Sequence, residues 1–407
     1  MPKSPEQSGM TNEQRLAFGK SRRTVVRRAN QGPWVLPLKR RDPMEVLAQS
    51  NSLLRPDLVA QKKTRMAQSP FQFFRGSTAI MASDLSTTLN VGLRVQMCGN
   101  AHVLNLTSTK AAKDTESVFD LYDLSETCPG PFEWDLKRLA TSFAIAAEDA
   151  GETKNNRELA VATVTRSYRE SLFQFSMMTD LELAAFKVRS RLSNEGPFID
   201  QPLAWRKAKS EEEKGLLASL PTYRESLVKS SQAVFDAYRA SAIGFEAIGM
   251  GRVGSYDYVM AFFGENIEDI LHLRFSDTQP SSYNSYVADA PRYKQQGQRI
   301  VGARRTLQQD GDPYLGFTTI NERDYVVSQF QKPKTLVNPL ELKGPLLLEL
   351  AHVCGQVLAK AHAQTGDAVV ISGYLGQGDK FAEAITRFAM SYAEQNNKDF
   401  EAFLDVL

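Results

Sequence analysis

Two apolar, β-branched runs each end in residues able to handle a metal-bound phosphate. The first, 93–97 (LRVQM), passes into 99–105 (GNAHVLN). The second, 117–122 (SVFDLY), ends at Asp123, and Asp135 opens a helical pattern twelve residues further on. Asn105 and Asp123 can converge as oxygen ligands for a hard cation such as Mg²⁺, which keeps several waters and takes few protein ligands beside phosphates. Asp135 can accept backbone hydrogen bonds from the first loop and hold its shape. His102 can orient that loop or touch a phosphate, although a hydrogen-bonded structural imidazole is the commoner role.

The second half offers a nucleotide clamp. Gly249, Gly251 and Gly254 in GMGRVG have the spacing of a phosphate-covering loop, and a strand pattern from Tyr258 to Phe263 follows. A following strand argues against a dinucleotide fold, which needs a helix there. Arg274 in LHLRF then stands where a phosphate-pairing lysine is expected. Arg75, Arg299, Arg304 and Arg305 can grip phosphates bidentately, with ordinary ion pairs as the bland reading. Arg75 stands out between an aromatic cluster and Gly76. His362 with Asp367 reads as a helix-end pair, and His352, Cys354 and His362 lack a compact metal-ligand spacing.

These groups need a framework, and the composition supplies one. The chain has 407 residues, 42% hydrophobic and 24% charged, which excludes disorder, collagen-like repeats and rods. Three scattered cysteines fit a reducing compartment rather than a disulfide framework. The opening residues lack an apolar leader core, and the best apolar run, GPLLLELAHV, is broken by Glu349, so the reading is a cytoplasmic protein with no membrane span. Residues 1–41 carry ten basic and two acidic residues, which leaves −6 for the remainder of a chain of net charge +2. They read as a mobile basic arm able to touch nucleic acid, anionic lipid or the body itself; with only Phe18 and Trp34 for stacking, nucleic-acid binding is the weak option. The patterns then divide the chain into a helix-rich lobe over 42–245, a strand-rich clamp lobe over 246–335 and closing helices over 336–407. Ser210 with Glu213 reads as a capping box.

The first-half constellation resembles the catalytic half of the protein-kinase-like phosphotransferases, particularly aminoglycoside and choline kinases. Residues 98–105 resemble their His-Gly-Asp-x-x-x-x-Asn loop, 123–125 their Asp-Phe-Asp/Glu turn, and 135–136 their Asp-Leu helix start. Over about 42–405 the chain also resembles a bacterial domain-of-unknown-function family, number 2252. That resemblance rests on SPFQFFRG (69–76), CGNAHVLNL (98–106), FDLYDLSETCPGPFEWDLKRLA (119–140), GMGRVGS (249–255), GQRIVGARRTLQ (297–308), LAKAHAQTGD (358–367) and GYLG (373–376). It implies an α+β, two-lobed kinase-like fold that is circularly permuted, with the catalytic-loop half ahead of the glycine-loop half. It also implies an ATP- and Mg²⁺-dependent phosphoryl or nucleotidyl transferase acting on a small acceptor. Asn100 occupies the substrate-facing base position, where the family loop has aspartate. An amide cannot accept a proton as a carboxylate does, and losing a general base costs roughly 10²- to 10⁴-fold in rate. The alternative is therefore a pseudokinase-like protein that binds nucleotide, or scaffolds a partner, without turnover.

Overall fold

The computed structural model describes residues 9–110, 117–190, 192, 198–199, 204–248, 256–266, 268–309, 311–330, 336–337, 341 and 343–407. The glycine segment carrying Gly249, Gly251 and Gly254 lies outside them.

Five helices lead: α1 (Asn12–Ser21), α2 (Pro43–Asn51), α3 (Pro56–Met66), α4 (Pro70–Gly76) and α5 (Thr78–Ser86). Three of them open on proline, whose missing N–H is not needed in a first turn, and Asp42 and Ser69 cap two of these through their side chains. Short strands follow: β1 (Arg94–Met97), β2 (Leu106–Lys110), β3 (Ser117–Leu121) and β4 (Cys128–Pro131). β1 pairs antiparallel with β4, and β2 with β3. Then come α6 (Phe132–Asp149), α7 (Lys154–Ser176), α8 (Asp180–Ala185) and two-residue strands β5 (Arg189–Ser190) and β6 (Phe198–Ile199).

The next stretch builds a sheet: β7 (Ala204–Lys207), α9 (Ser210–Ser226), α10 (Lys229–Phe235), β8 (Arg239–Ile248), β9 (Asp257–Phe263), β10 (Ile270–Asp277), α11 (Gln296–Leu307), β11 (Gly316–Ile320) and β12 (Arg323–Gln329). All its pairings are antiparallel, in the order β11-β12-β10-β9-β8-β7. After β13 (Leu336–Val337), which pairs with β6, the chain ends in α12 (Gly344–Thr365), α13 (Ala368–Leu375) and α14 (Lys380–Leu404). Among the described residues no helix is long and apolar enough to cross a membrane.

The architecture is α+β with two main apolar cores. The larger joins α6, α7, α12, α13 and α14 with the β1–β4 region. Gly355 on α12 permits a close crossing, because a Cβ there would lie 2.5 Å from the Val164 carbonyl oxygen of α7. The smaller core lies between the sheet and α9–α10, with Leu216, Tyr223, Phe235, Met260, Leu273 and Phe275 at its centre.

Two expectations need correction. The sheet begins at Ala204, not near residue 246, so the last part of the stretch read as helix-rich, up to 245, holds β7, α9, α10 and most of β8. β8 (RASAIGFEAI) is rich in Ala and has a Gly, residues depleted in strands, and only its place beside β9 makes it one. The α9 cap is also one residue earlier than expected: Glu212 accepts from the Lys209 N–H at 2.6 Å. The basic segment, in turn, spends its charge on the body. Arg15 pairs with Asp367, and Arg40 bridges Asp84 and Asp399. Arg23 donates to the Gly373 and Tyr374 carbonyls and Arg28 to that of Leu375, so arginines satisfy the open carbonyls at the end of α13.

Candidate functional site

The loop between β1 and β2 is held from three sides. Gly99 adopts φ +82°, and a Cβ there would lie 2.0 Å from the Glu126 carbonyl oxygen, so glycine is required. This turn aims two successive N–H groups at Asp135 in the first turn of α6: Cys98 donates to Oδ2 at 2.6 Å and Gly99 to Oδ1 at 2.9 Å. Asn105 closes the other end. Its Nδ2 donates to the Asn100 and Asp123 carbonyls at 2.9 and 2.8 Å, while its Oδ1 accepts from the Asp123 N–H at 2.6 Å. Asn105 and Asp123 thus meet, but through the Asp123 backbone. Asp123 uses Oδ1 to accept from Ser125 N–H at 2.8 Å, and among the described residues its Oδ2 has no donor.

Asn100 is tied inward. Its Oδ1 accepts from Arg138 Nη2 at 2.6 Å, Arg138 Nε at 3.1 Å and Thr78 Oγ1 at 3.0 Å. Arg138 is fully buried, stacks over Phe74, donates to the Phe74 carbonyl, and hydrogen-bonds no carboxylate among the described residues. The Asn100 amide is therefore its main side-chain acceptor, and what Asn100 has left to offer is the N–H donors of Nδ2. Arg138 stands three residues after Asp135 on one face of α6. That i, i+3 spacing was the signal for it in the sequence.

His102 is buried, its ring edge-on to Phe71, and among the described residues its Nδ1 has no partner. Burial, with Arg75 and Arg138 adding their charge, holds its pKa well below the ordinary value, so the imidazole is neutral. Behind the loop a cavity of about 10 Å³ is lined by Cys98, His102, Asn105 and Cys354 among others, too small for any substrate. Burial raises the Cys98 thiol well above its usual range, which removes it as a nucleophile.

Asp135 has a second set of contacts that sequence reasoning missed. His362 of α12 approaches its Oδ2 with Nε2 at 3.3 Å, and the His362 Nδ1 meets the Tyr168 hydroxyl of α7 at 2.9 Å. All three side chains are fully buried. The expected His362–Asp367 pair does not form, because Asp367 holds Arg15 and caps α13.

The sheet meets this region through α11. Arg299 donates to the Thr127, Ser125 and Gln279 carbonyls, and Gln308 Nε2 donates to the Leu121 and Tyr122 carbonyls at 2.8 and 3.3 Å. Arg305 binds the Leu315 carbonyl. Arg299, buried and bonded to three carbonyls, is thus structural rather than open to a phosphate, whereas Arg305 is exposed. Ser282 adds its N–H to Glu126 at 2.6 Å. Arg274 on β10 pairs with Asp257 on β9; burial opposes its charge, yet Asp257 leads a set of anionic neighbours that raises its pKa above the ordinary value. Arg75, at the end of α4, donates Nη1 to Gln72 at 2.9 Å, and burial pushes its pKa down to about 10. Among the described residues no group of three or more His, Cys, Asp or Glu could hold a metal ion.

A protein-family model described as "Uncharacterized protein conserved in bacteria (DUF2252)" matches residues 54–196 and 187–406. No curated protein and no solved structure matches the chain. With most of its length covered by that model, the chain belongs to the DUF2252 family.

Proposed function

We propose that the protein is a kinase-like, circularly permuted nucleotide-binding protein, and an ATP- and Mg²⁺-dependent phosphotransferase toward a small acceptor. The observation that carries the reading is the coupling of two polar strand ends into one unit. Asp135 fixes the 98–99 turn, and Asn105 locks that turn to Asp123. Phosphoryl transfer leans on positioning and on neutralised charge more than on covalent chemistry by the protein, and this unit provides a fixed platform facing Arg274 and Arg75. Bound Mg²⁺ would supply charge neutralisation at the phosphates. Of the expected pair, Asp123 Oδ2 is the oxygen open to it, which suits an ion that needs one or two carboxylates. Asn105 serves by orienting Asp123.

A second reading, binding without turnover, is favoured by Asn100. Its oxygen is consumed by Arg138 and Thr78, so residue 100 presents donors to an acceptor hydroxyl and cannot take its proton.

Thermal unfolding of the full chain with ATP, with Mg²⁺ and with both tests the shared part of these readings. A ligand at 100 times its Kd stabilises the fold by about 2.7 kcal/mol. The expected result is a shift that needs both components and disappears in Asp123→Ala. No shift with any nucleotide overturns the proposal, and a shift retained in Asp123→Ala removes Asp123 from it.

A further inference from the structure

Three arginines from three separate elements have the Asp123 carboxylate among their charged neighbours. Arg75 ends α4, Arg274 lies in β10, and Arg304 occupies the last turn of α11. Asp123 is the leading anionic neighbour of Arg75; Asp257 leads for Arg274 and Asp312 for Arg304, with Asp123 acting on both as well, and Arg274 and Arg304 repel one another. Contacts independent of charge place Arg304 there: its Nε donates to Gln308 Oε1 at 3.1 Å, and that same Gln308 side chain is bonded to the Leu121 and Tyr122 carbonyls leading into Asp123.

Their hydrogen bonding is largely unspent. A guanidinium carries five N–H donors. Among the described residues Arg75 gives one to Gln72, Arg274 one to Asp257 and Arg304 one to Gln308, and the Nε atoms of Arg75 and Arg274 are buried with no partner there. Buried donors and like charges held together are costly unless an anion joins them. One phosphate can take more than one fork, but groups spread over three elements suit several phosphates in a row.

We propose that Arg304 is the third arm, with Arg274 and Arg75, of a clamp for the contiguous phosphates of a di- or triphosphate. The nucleoside part of such a ligand rests on the function proposed above; the clamp itself needs only the phosphate chain.

The test is calorimetric titration of the full chain with tripolyphosphate, ATP, orthophosphate and adenosine, with and without Mg²⁺. Tripolyphosphate should bind at least tenfold more tightly than orthophosphate. Arg304→Gln should weaken tripolyphosphate and ATP at least tenfold, Arg304→Lys should recover part of that loss, and Arg305→Gln, one residue along, should change neither. The unliganded melting midpoint of each variant separates a lost contact from a lost fold; if Arg304→Gln does not fold, Arg304→Lys against Arg305→Lys gives the same comparison. Tripolyphosphate binding without ATP binding upholds the clamp and sinks the nucleotide reading. ATP binding that is unchanged in Arg304→Gln, or equally weakened in Arg305→Gln, overturns the clamp and leaves the nucleotide reading standing. Binding of neither polyphosphate overturns the clamp as well.

Discussion

The loop around Asn100 and the arginine cluster around Asp123 lie side by side, yet they treat polar groups in opposite ways. In the loop, Asp135 takes two backbone N–H groups and a histidine, Asn105 uses both ends of its amide, and the Asn100 oxygen takes three donors. In the cluster, Arg75 and Arg274 keep buried Nε atoms that have no partner among the described residues. Satisfied polar networks fix one geometry, whereas unsatisfied buried donors lower stability. The contrast separates a part of the site that is built for shape from a part whose hydrogen bonds a ligand would complete. The neutral His102, with its unpartnered Nδ1, is the exception on the loop side.

The comparison can be broken at its strongest point first. Asp135→Ala strands the Cys98 and Gly99 N–H groups and releases His362, at a cost of about 4 kcal/mol. Chemical unfolding that shows less than about 1 kcal/mol would mean the loop does not depend on this carboxylate. Asn100→Asp sharpens the contrast by giving Arg138 a carboxylate and the loop a proton acceptor. Nucleotide turnover should rise at least tenfold, and unchanged turnover with retained nucleotide binding decides for the binding-only reading. A smaller effect follows from His102. Its folded pKa is below the ordinary 6.5, so below that pH the unfolded chain binds the extra proton. Stability should then fall with acidification, by at most about 1.4 kcal/mol per pH unit from this group. Unfolding midpoints measured from pH 7 to pH 5 should show that slope, and His102→Gln should flatten its share. The smallest change is expected on the arginine side. Arg75→Met removes a half-buried charge bonded to one amide, so stability should stay within about 0.5 kcal/mol or improve, while polyphosphate affinity falls. A loss like that of Asp135→Ala would erase the distinction between the two regions.

How far the residues revealed this arrangement depends on the distance between partners. Residues 94–97, 117–121 and 132–149 carry local periodicity strong enough to read, and their order placed Asn105, Asp123 and Asp135 in one neighbourhood. The Asp135–His362 contact spans 227 residues and leaves no local trace, so His362 was assigned to nearby Asp367 instead. Arg304 lay in plain view, but only the packing of α11 against residues 121–122 distinguishes it from Arg299 and Arg305. The start of the sheet was misplaced because Ala- and Gly-containing β8 has little strand character of its own and is made a strand by its neighbours.

The docking of α12 on α7 has a consequence for synthesis. Roughly 170 residues separate the end of α7 at Ser176 from the start of α12 at Gly344, which at ribosomal speed is about 10 to 35 s. Through that interval the nascent chain has α6 and α7 but not the helices that cover them, nor the histidine that reaches Asp135. The antiparallel sheet can form first, so the later lobe in structure is the earlier one in time. An expression host short of holding chaperones should therefore lose this protein during translation, before any property of the finished site can matter.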